Sequence, residues 1–271
     1  MANWSIKVLD YGVIDVPKDA LTVGVDVGKM LRLPYLGFLL SDGTHKVLVD
    51  CGIHERFIVN GRAWGNFPAK GGVPYVLESL ARHDTRPEDI EMVLYTHLHN
   101  DHTGACHLFK DARHVFQYDE WCDLVNPLPS MKIRGDFDPA VIPILEKMDC
   151  LRVDGDLEIL EGLRMIKTPG HTAGSSIFSV STEKGTYVIT GDTAIMWHNL
   201  FPKLTEITDI DGNPYQITPA PDSYGPAIPS TIVYNHYDWY KSVYRIQGML
   251  KSKEFAMCGH EPSIFNKEYP D

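Results

Sequence analysis

No run of 18 apolar residues occurs in the 271-residue chain, so no segment reads as a membrane-spanning helix. The stretch Met1 to Asp10 lacks a basic region followed by a long apolar one, and no signal peptide is expected. Cysteine is sparse. Cys51, Cys106, Cys122, Cys150 and Cys258 make an odd count of 5 with no CxxC pair. That pattern suggests neither a zinc knuckle nor a disulfide framework. It leaves Cys51, Cys106 and Cys258 as small buried packing residues and a reducing cytoplasm as the expected location. Positive charge is also short: 25 Lys and Arg stand against 36 Asp and Glu, a formal net charge of −11. A broad nucleic-acid surface needs clustered cations, so neither nucleic acid nor membrane is an expected partner. A Gly-x-Ser-x-Gly elbow, which would supply a serine nucleophile, is missing too.

What the chain has is a dense group of metal-binding side chains. Thr96-His97-Leu98-His99-Asn100-Asp101-His102 places three His and one Asp within six residues, and His171, Asp192 and His260 follow at a distance. Neutral imidazole and carboxylate are ligands for divalent zinc, manganese and iron. In an apolar core each ring would need its own partner and the acid a counter-charge, and a cation satisfies both needs. His97 and His99 share a face if the segment is extended. Asp101 and His102 address a second position if the chain turns into a helix near Asn100, so one cluster can serve two adjacent ions.

The settings agree. Ile90, Met92, Val93, Leu94 and Tyr95 read as a buried strand leading into the cluster, and Thr103-Gly104-Ala105 allows close backbone approach behind it. His171 lies in the turn-rich Thr168-Pro169-Gly170-His171-Thr172-Ala173-Gly174-Ser175. Asp192 follows the strand-like Tyr187 to Thr190, and His260 follows Phe255 to Gly259. Each candidate thus stands just past a strand, where ligand-bearing loops sit.

Further strands are expected at Ile6–Val8, Leu36–Leu40, Lys46–Asp50, Val115–Gln117, Leu163–Ile166 and Ile177–Val180. Val73, Val76, Leu77 and Leu80 fall at helical spacing, with Pro74 near the start of the helix. A second helix is expected from Asp119, broken at Asn126 to Pro129, and a last one is capped by Asn235. Hydrophobic content of 44% and charged content of 23% fit an ordinary globular protein, read as one domain over 1–271. Two aperiodic stretches are expected to shape a pocket. The first is Asn60 to Phe67, with Trp64 and Phe67. The second is the proline- and tyrosine-rich part of 199–235, an insertion that serves as a lid or a homodimer contact.

The HxHxDH run of residues 97–102, with His171, Asp192 and His260, resembles the metallo-β-lactamase superfamily over nearly the whole chain. Val47-Leu48-Val49-Asp50-Cys51-Gly52 is similar to an early strand and turn of that fold. Gly28 to Pro34, followed by Leu36 to Leu40, is similar to the N-acyl homoserine lactone lactonases. The resemblance implies an α/β fold, the four-layer αβ/βα sandwich. It also implies two divalent ions, zinc before manganese or iron. His97, His99 and His171 would hold one, Asp101, His102 and His260 the other, and Asp192 would bridge them. Asp192 stands where true β-lactamases of this fold place Cys, and His99 where flavodiiron oxidoreductases carry Glu.

Two ions about 3.5–4 Å apart can share a water and lower its pKa toward neutrality, giving a hydroxide that attacks a carbonyl. Asp101 or Asp192 would relay the proton to the leaving oxygen. The implied function is hydrolysis of a small cyclic ester, possibly an N-acyl homoserine lactone. In the lactonases a Tyr lies three residues after the bridging Asp; here that residue is Ile195. His198, Tyr224, Tyr234 and His236 are the candidate replacement donors, each with a packing or surface role as its alternative. Lys29 and Arg32 are candidates for binding an anionic substrate. Competing readings are a thioester or cyclic-amide hydrolase, a mononuclear-iron persulfide dioxygenase, and a non-catalytic binding protein on the same scaffold.

Overall fold

The computed structural model describes residues 3–270; Met1, Ala2 and Asp271, the ends of the span expected to form one domain, lie outside the described residues. Two sheets face each other. The larger has 9 strands in the order β4-β5-β1-β2-β3-β6-β7-β8, with β16 also on β1. Its members are β1 Ser5–Pro17, β2 Met30–Ser41, β3 Lys46–Val49, β4 Arg62–Ala63, β5 Phe67–Gly71, β6 Met92–Leu94, β7 Arg113–Gln117, β8 Cys150–Val153 and β16 Glu268–Tyr269. The smaller sheet has 5 strands in the order β15-β12-β11-β10-β9. These are β9 Leu157–Leu160, β10 Leu163–Lys167, β11 Ser176–Thr182, β12 Gly185–Gly191 and β15 Ala256–Cys258. A separate hairpin joins β13 Glu206–Thr208 to β14 Pro214–Gln216.

Alternation along the strands divides the core. Val47, Val49, Leu94 and Val115 point toward the smaller sheet and share a cluster with Met165 and Phe178, which pair across β10 and β11. Their neighbours Leu48, Val93 and Phe116 point the other way, onto Val76 and Leu80 of α2 (Val73–Ala81) and Leu124 of α4 (Tyr118–Val125). Trp239, Val243 and Ile246 of α8 (His236–Met249) cover the smaller sheet. Helix, sheet, sheet, helix is the four-layer αβ/βα sandwich. The shorter helices are α1 Lys18–Leu21, α3 Asn100–Thr103, α5 Pro129–Arg134, α6 Ile142–Leu145 and α7 Trp197–Leu200.

Local sequence accounts for the helix starts. A proline occupies the first turn of α2, and Pro129 opens α5 just beyond the break after Val125, where its missing N–H costs nothing. The Asn235 side chain caps α8 by accepting from the Asp238 amide. Cys51, Cys106 and Cys258 are buried as small packing residues, and every described cysteine is free. No helix is long and apolar enough to cross a membrane among the described residues.

The segment 199–235 does not hang free. Tyr215 donates to the Met30 carbonyl at 3.0 Å, and the Thr218 hydroxyl to Asp26 at 2.7 Å. The Thr231 amide donates to Ala20 at 2.9 Å. The proline-rich segment therefore lies over α1 and the loop that follows it.

Candidate metal centre

Strands β3, β6 and β7 run parallel, and β12 runs parallel to β15. Parallel strands send their carboxyl ends to one edge, where loops collect functional side chains. β6 ends, the chain bends at Thr96 and passes through His97 to a bridge at His99, then turns into α3, which carries Asp101 and His102. His171 stands on the loop after β10, Asp192 immediately follows β12, and His260 follows β15. All seven side chains converge.

Three overlapping groups place their ligand atoms within 4.8 Å of one another: His97, His99 and His171; His97, His102 and Asp192; Asp101, His102 and His260. His171 Nε2 lies 3.2 Å from both His97 Nε2 and His99 Nδ1. Asp192 Oδ1 lies 3.2 Å from His260 Nε2 and 3.6 Å from His102 Nε2, while its Oδ2 lies 3.7 Å from His171 Nε2. Asp192 thus reaches both halves of the cluster. Asp101 approaches His102 and His260, each at 3.7 Å.

The outer ring nitrogens explain the orientation. His102 Nδ1 donates to Asp50 Oδ2 at 2.8 Å, His171 Nδ1 to the Ile232 carbonyl at 2.7 Å, and His260 Nδ1 to the Pro34 carbonyl at 2.8 Å. The Thr96 hydroxyl is turned to donate to Asp50, so its oxygen accepts from His97 Nδ1 at 3.1 Å. These bonds fix the tautomers and aim each Nε2 lone pair inward. Lone pairs 3.2 Å apart repel unless a cation stands between them. His102 Nε2 and Asp192 Oδ1 are buried without a hydrogen-bond partner among the described residues, as suits atoms that would face a cation. The residues present therefore suit divalent metal.

Electrostatics sort the rings. Burial, then the neighbouring imidazoles, push His97 and His99 well below the ordinary range, which keeps them neutral and able to ligate. Burial would also lower His102, but Asp50, Asp101 and Asp192 outweigh it and push it up to about 10, so its Nε2 would offer a lone pair once a cation displaced that proton. For Asp192, burial is outweighed by His260 and His102, and its carboxyl lies well below the usual range.

Close packing holds the acid in place. A Cβ on Gly259 would lie 2.5 Å from Asp192 Oδ1, and one on Gly191, at φ +49, would meet Thr96 at 2.5 Å. Asp50 itself is left-handed at φ 58, an uncommon state for a non-glycine residue that marks a constrained position. Glu120, fully buried, ties two ligand loops together. It accepts from the Leu98 amide at 2.8 Å and the Gly174 amide at 2.9 Å, and from the Thr172 hydroxyl.

A cavity opens onto the cluster. Its polar floor includes His99, Asp101, Asp192 and His260, and its wall is apolar, with Ile14, Val16, Leu21, Leu33, Phe57 and Ile232. Trp64 lines it as expected; Phe67 does not, and instead packs against Trp64 with ring centroids 5.9 Å apart. His198 is a correction. It is fully buried away from the cavity, with Nδ1 3.0 Å from Lys18 Nζ, because α7 turns it under α1. Tyr224 also stands elsewhere, packed on Val25, Ala220 and Ile228. The Tyr234 hydroxyl is committed to Asp136, and His236 is exposed at the start of α8. Lys29 and Arg32 do not line the cavity; each pairs at 2.6 Å, with Asp26 and Asp15 respectively. Sequence reasoning passed over Tyr35, which lines the cavity, and the role of Asp50 toward His102. No sequence signal marked Tyr35, because the Pro34 carbonyl that ties its strand to His260 is visible only in the fold.

The model of the metallo-beta-lactamase superfamily matches residues 33–260. An N-acyl homoserine lactonase of Bacillus cereus is 27% identical over 169 residues, which are 60% of this chain and 64% of that protein. An N-acyl homoserine lactonase of Bacillus thuringiensis is 28% identical over 180 residues, 64% of this chain and 68% of that protein. The chain thus spans about two thirds of the length of these curated relatives. In structure it is similar to an N-acyl homoserine lactone hydrolase with N-hexanoyl-L-homoserine at its catalytic metal centre. The TM-score is 0.73 at 20% identity, over 96% of this chain and 94% of that one. It is also similar to AidC, a dizinc quorum-quenching lactonase, with a TM-score of 0.69 at 15% identity over 97% of this chain and 89% of that one. The fold, the ligand geometry and the length of the family match agree: the chain belongs to the metallo-beta-lactamase superfamily.

Proposed function

We propose that the chain is a dinuclear metal-dependent hydrolase that opens a small cyclic ester, of the N-acyl homoserine lactone class. The observation that carries this reading is the overlap of the ligand groups at the floor of an apolar cavity. His97, His99 and His171 hold one ion, Asp101, His102 and His260 the other, and Asp192 reaches both. Zinc suits the donors best, and manganese and iron accept the same set. A divalent pair bound there supplies Lewis acidity and a water ionised near neutral pH.

The chain's own residues do the rest. Leu21, Leu33, Phe57 and Ile232 receive an acyl chain, each buried methylene contributing about 0.8 kcal/mol. Asp101 or Asp192, both at the cavity floor, accepts the proton of the attacking water and hands it to the leaving alkoxide oxygen. The segment 199–235 roofs the cavity through Ile232, acting as a lid and offering its exposed part to a second copy of the chain. The negative charge favours a small-molecule substrate over nucleic acid, and a cytoplasmic location fits the free cysteines.

A second reading, a thioester or cyclic-amide substrate, is favoured by Ile195 in the wall, which brings no hydroxyl to the carbonyl. The full second ligand group, Asp101, His102 and His260, speaks against a mononuclear dioxygenase and against a non-catalytic scaffold. The test is a hydrolysis screen of lactones, thioesters and cyclic amides on protein of measured metal content. Ring opening of lactones with two metals per chain is expected. One iron per chain with oxygen consumption, or no turnover of any lactone, overturns the reading.

A further inference from the structure

We infer that the Tyr35 hydroxyl is a catalytic hydrogen-bond donor, aimed at the substrate carbonyl oxygen as it gains negative charge. The inference rests on the proposed lactone-opening reading. Tyr35 follows Pro34 on β2, and the Pro34 carbonyl is the acceptor that fixes His260. The backbone that orients a metal ligand therefore also delivers the phenol. The Tyr35 ring meets the His260 ring edge-on, with centroids 6.0 Å apart. Its exposure is only 3%, and what remains opens into the cavity shared with Asp101, Asp192 and His260.

Three further observations single it out. Tyr35 is the only hydroxyl-bearing residue among those lining the cavity. Its oxygen makes no hydrogen bond to the described residues and is not among their fully buried orphan atoms, so it keeps access to the cavity. Asn100, another donor on the wall, is engaged through Nδ2 with the Gly135 carbonyl at 2.6 Å, whereas Arg134, paired with Asp136 at 3.3 Å, keeps Nε and Nη2 without a hydrogen-bond partner, so Tyr35 is distinguished by its seat on His260. A preorganised donor with no internal partner, held in a largely apolar cavity, stabilises developing oxyanion charge without reorganising. The proton stays on Tyr35 throughout, and the bond strengthens as the carbonyl carbon becomes tetrahedral.

The test is Tyr35→Phe, which removes one oxygen and keeps the ring on His260. With N-hexanoyl homoserine lactone, kcat is expected to fall about 10²–10³-fold while KM changes little. Metal content and the thermal midpoint should match wild type. The matching thiolactone has the same carbonyl oxygen and a different leaving atom, so its kcat should fall by the same factor. An unchanged kcat overturns the inference, as does a fall accompanied by lost metal, which would make Tyr35 a support for His260. A fall confined to the oxygen ester overturns it too, because the donor would then serve the leaving group. If wild type opens neither ring, the lactone reading itself fails and takes the inference with it.

Discussion

Asp50 Oδ2 accepts from His102 Nδ1 at 2.8 Å, and the same carboxylate accepts from the Thr96 amide at 2.9 Å and the Thr96 hydroxyl at 2.7 Å. One buried acid therefore orients His102 directly and His97 through Thr96. Asp50→Asn keeps the shape and tolerates the left-handed backbone, but turns an acceptor into a donor facing donors. Metal affinity is expected to fall about 10–100-fold, measured by chelator competition. Unaltered affinity would remove Asp50 from the account.

Removing a ligand tests the centre itself. In His97→Ala and Asp192→Asn, metal content and lactone turnover should each drop by about a hundredfold or more, with the circular dichroism spectrum preserved. The spectrum should hold because both side chains lie beyond the ends of their strands. Full turnover in both variants after chelation would defeat the mechanism.

Gly259→Ala should push Asp192 aside, since the new methyl would sit 2.5 Å from Oδ1 and 2.8 Å from the Gly191 backbone. We expect about 1–3 kcal/mol of destabilisation by thermal melt, and reduced metal content. Gly248→Ala is the contrast: nothing lies within 4 Å of its Cβ, so the helix should gain about 0.5–1 kcal/mol.

Lys18 supplies a pH signature remote from the metals. Burial lowers it from 10.5 to about 8, against the pull of Asp26. A cation disfavoured by the fold makes the native state bind fewer protons than the unfolded chain between these values. Stability from this group is present above about 10.5 and lost as pH falls through about 8. Wild type should thus gain on Lys18→Met as pH rises from 8 to 10.5, read as the difference in thermal midpoint. Parallel curves would place Lys18 in an unperturbed state.

Leu21 on the cavity wall should set chain length. Leu21→Trp would fill part of the cavity proposed to receive the acyl tail. kcat/KM for a decanoyl lactone is expected to fall about 10–200-fold relative to a butanoyl one. An equal effect on both chains would move the acyl site elsewhere.

The gathering of these seven side chains was legible because residue identity and position after apolar strands carry it. Seven side chains bearing lone pairs beyond strand ends have few other stable arrangements. The αβ/βα layering was legible for a similar reason: period-2 runs and the 3.6-period stripe of α2 assign each element its buried face. His198 was misread because nearness to Asp192 in sequence does not survive the turn of α7, which carries the ring under α1 to Lys18.

What the sequence determined by itself is the chemistry available: which groups can bind metal, which strands are buried, and that basic surface is lacking. Only the tertiary structure decided how that chemistry is aimed. The acceptors that hold the imidazoles are Asp50, Pro34 and Ile232, separated from their partners by 52, 226 and 61 positions. Two of the three are backbone carbonyls, which no residue type announces. A hydrogen bond depends on distance and direction in space, and sheet register brings these atoms together only once the two layers have closed.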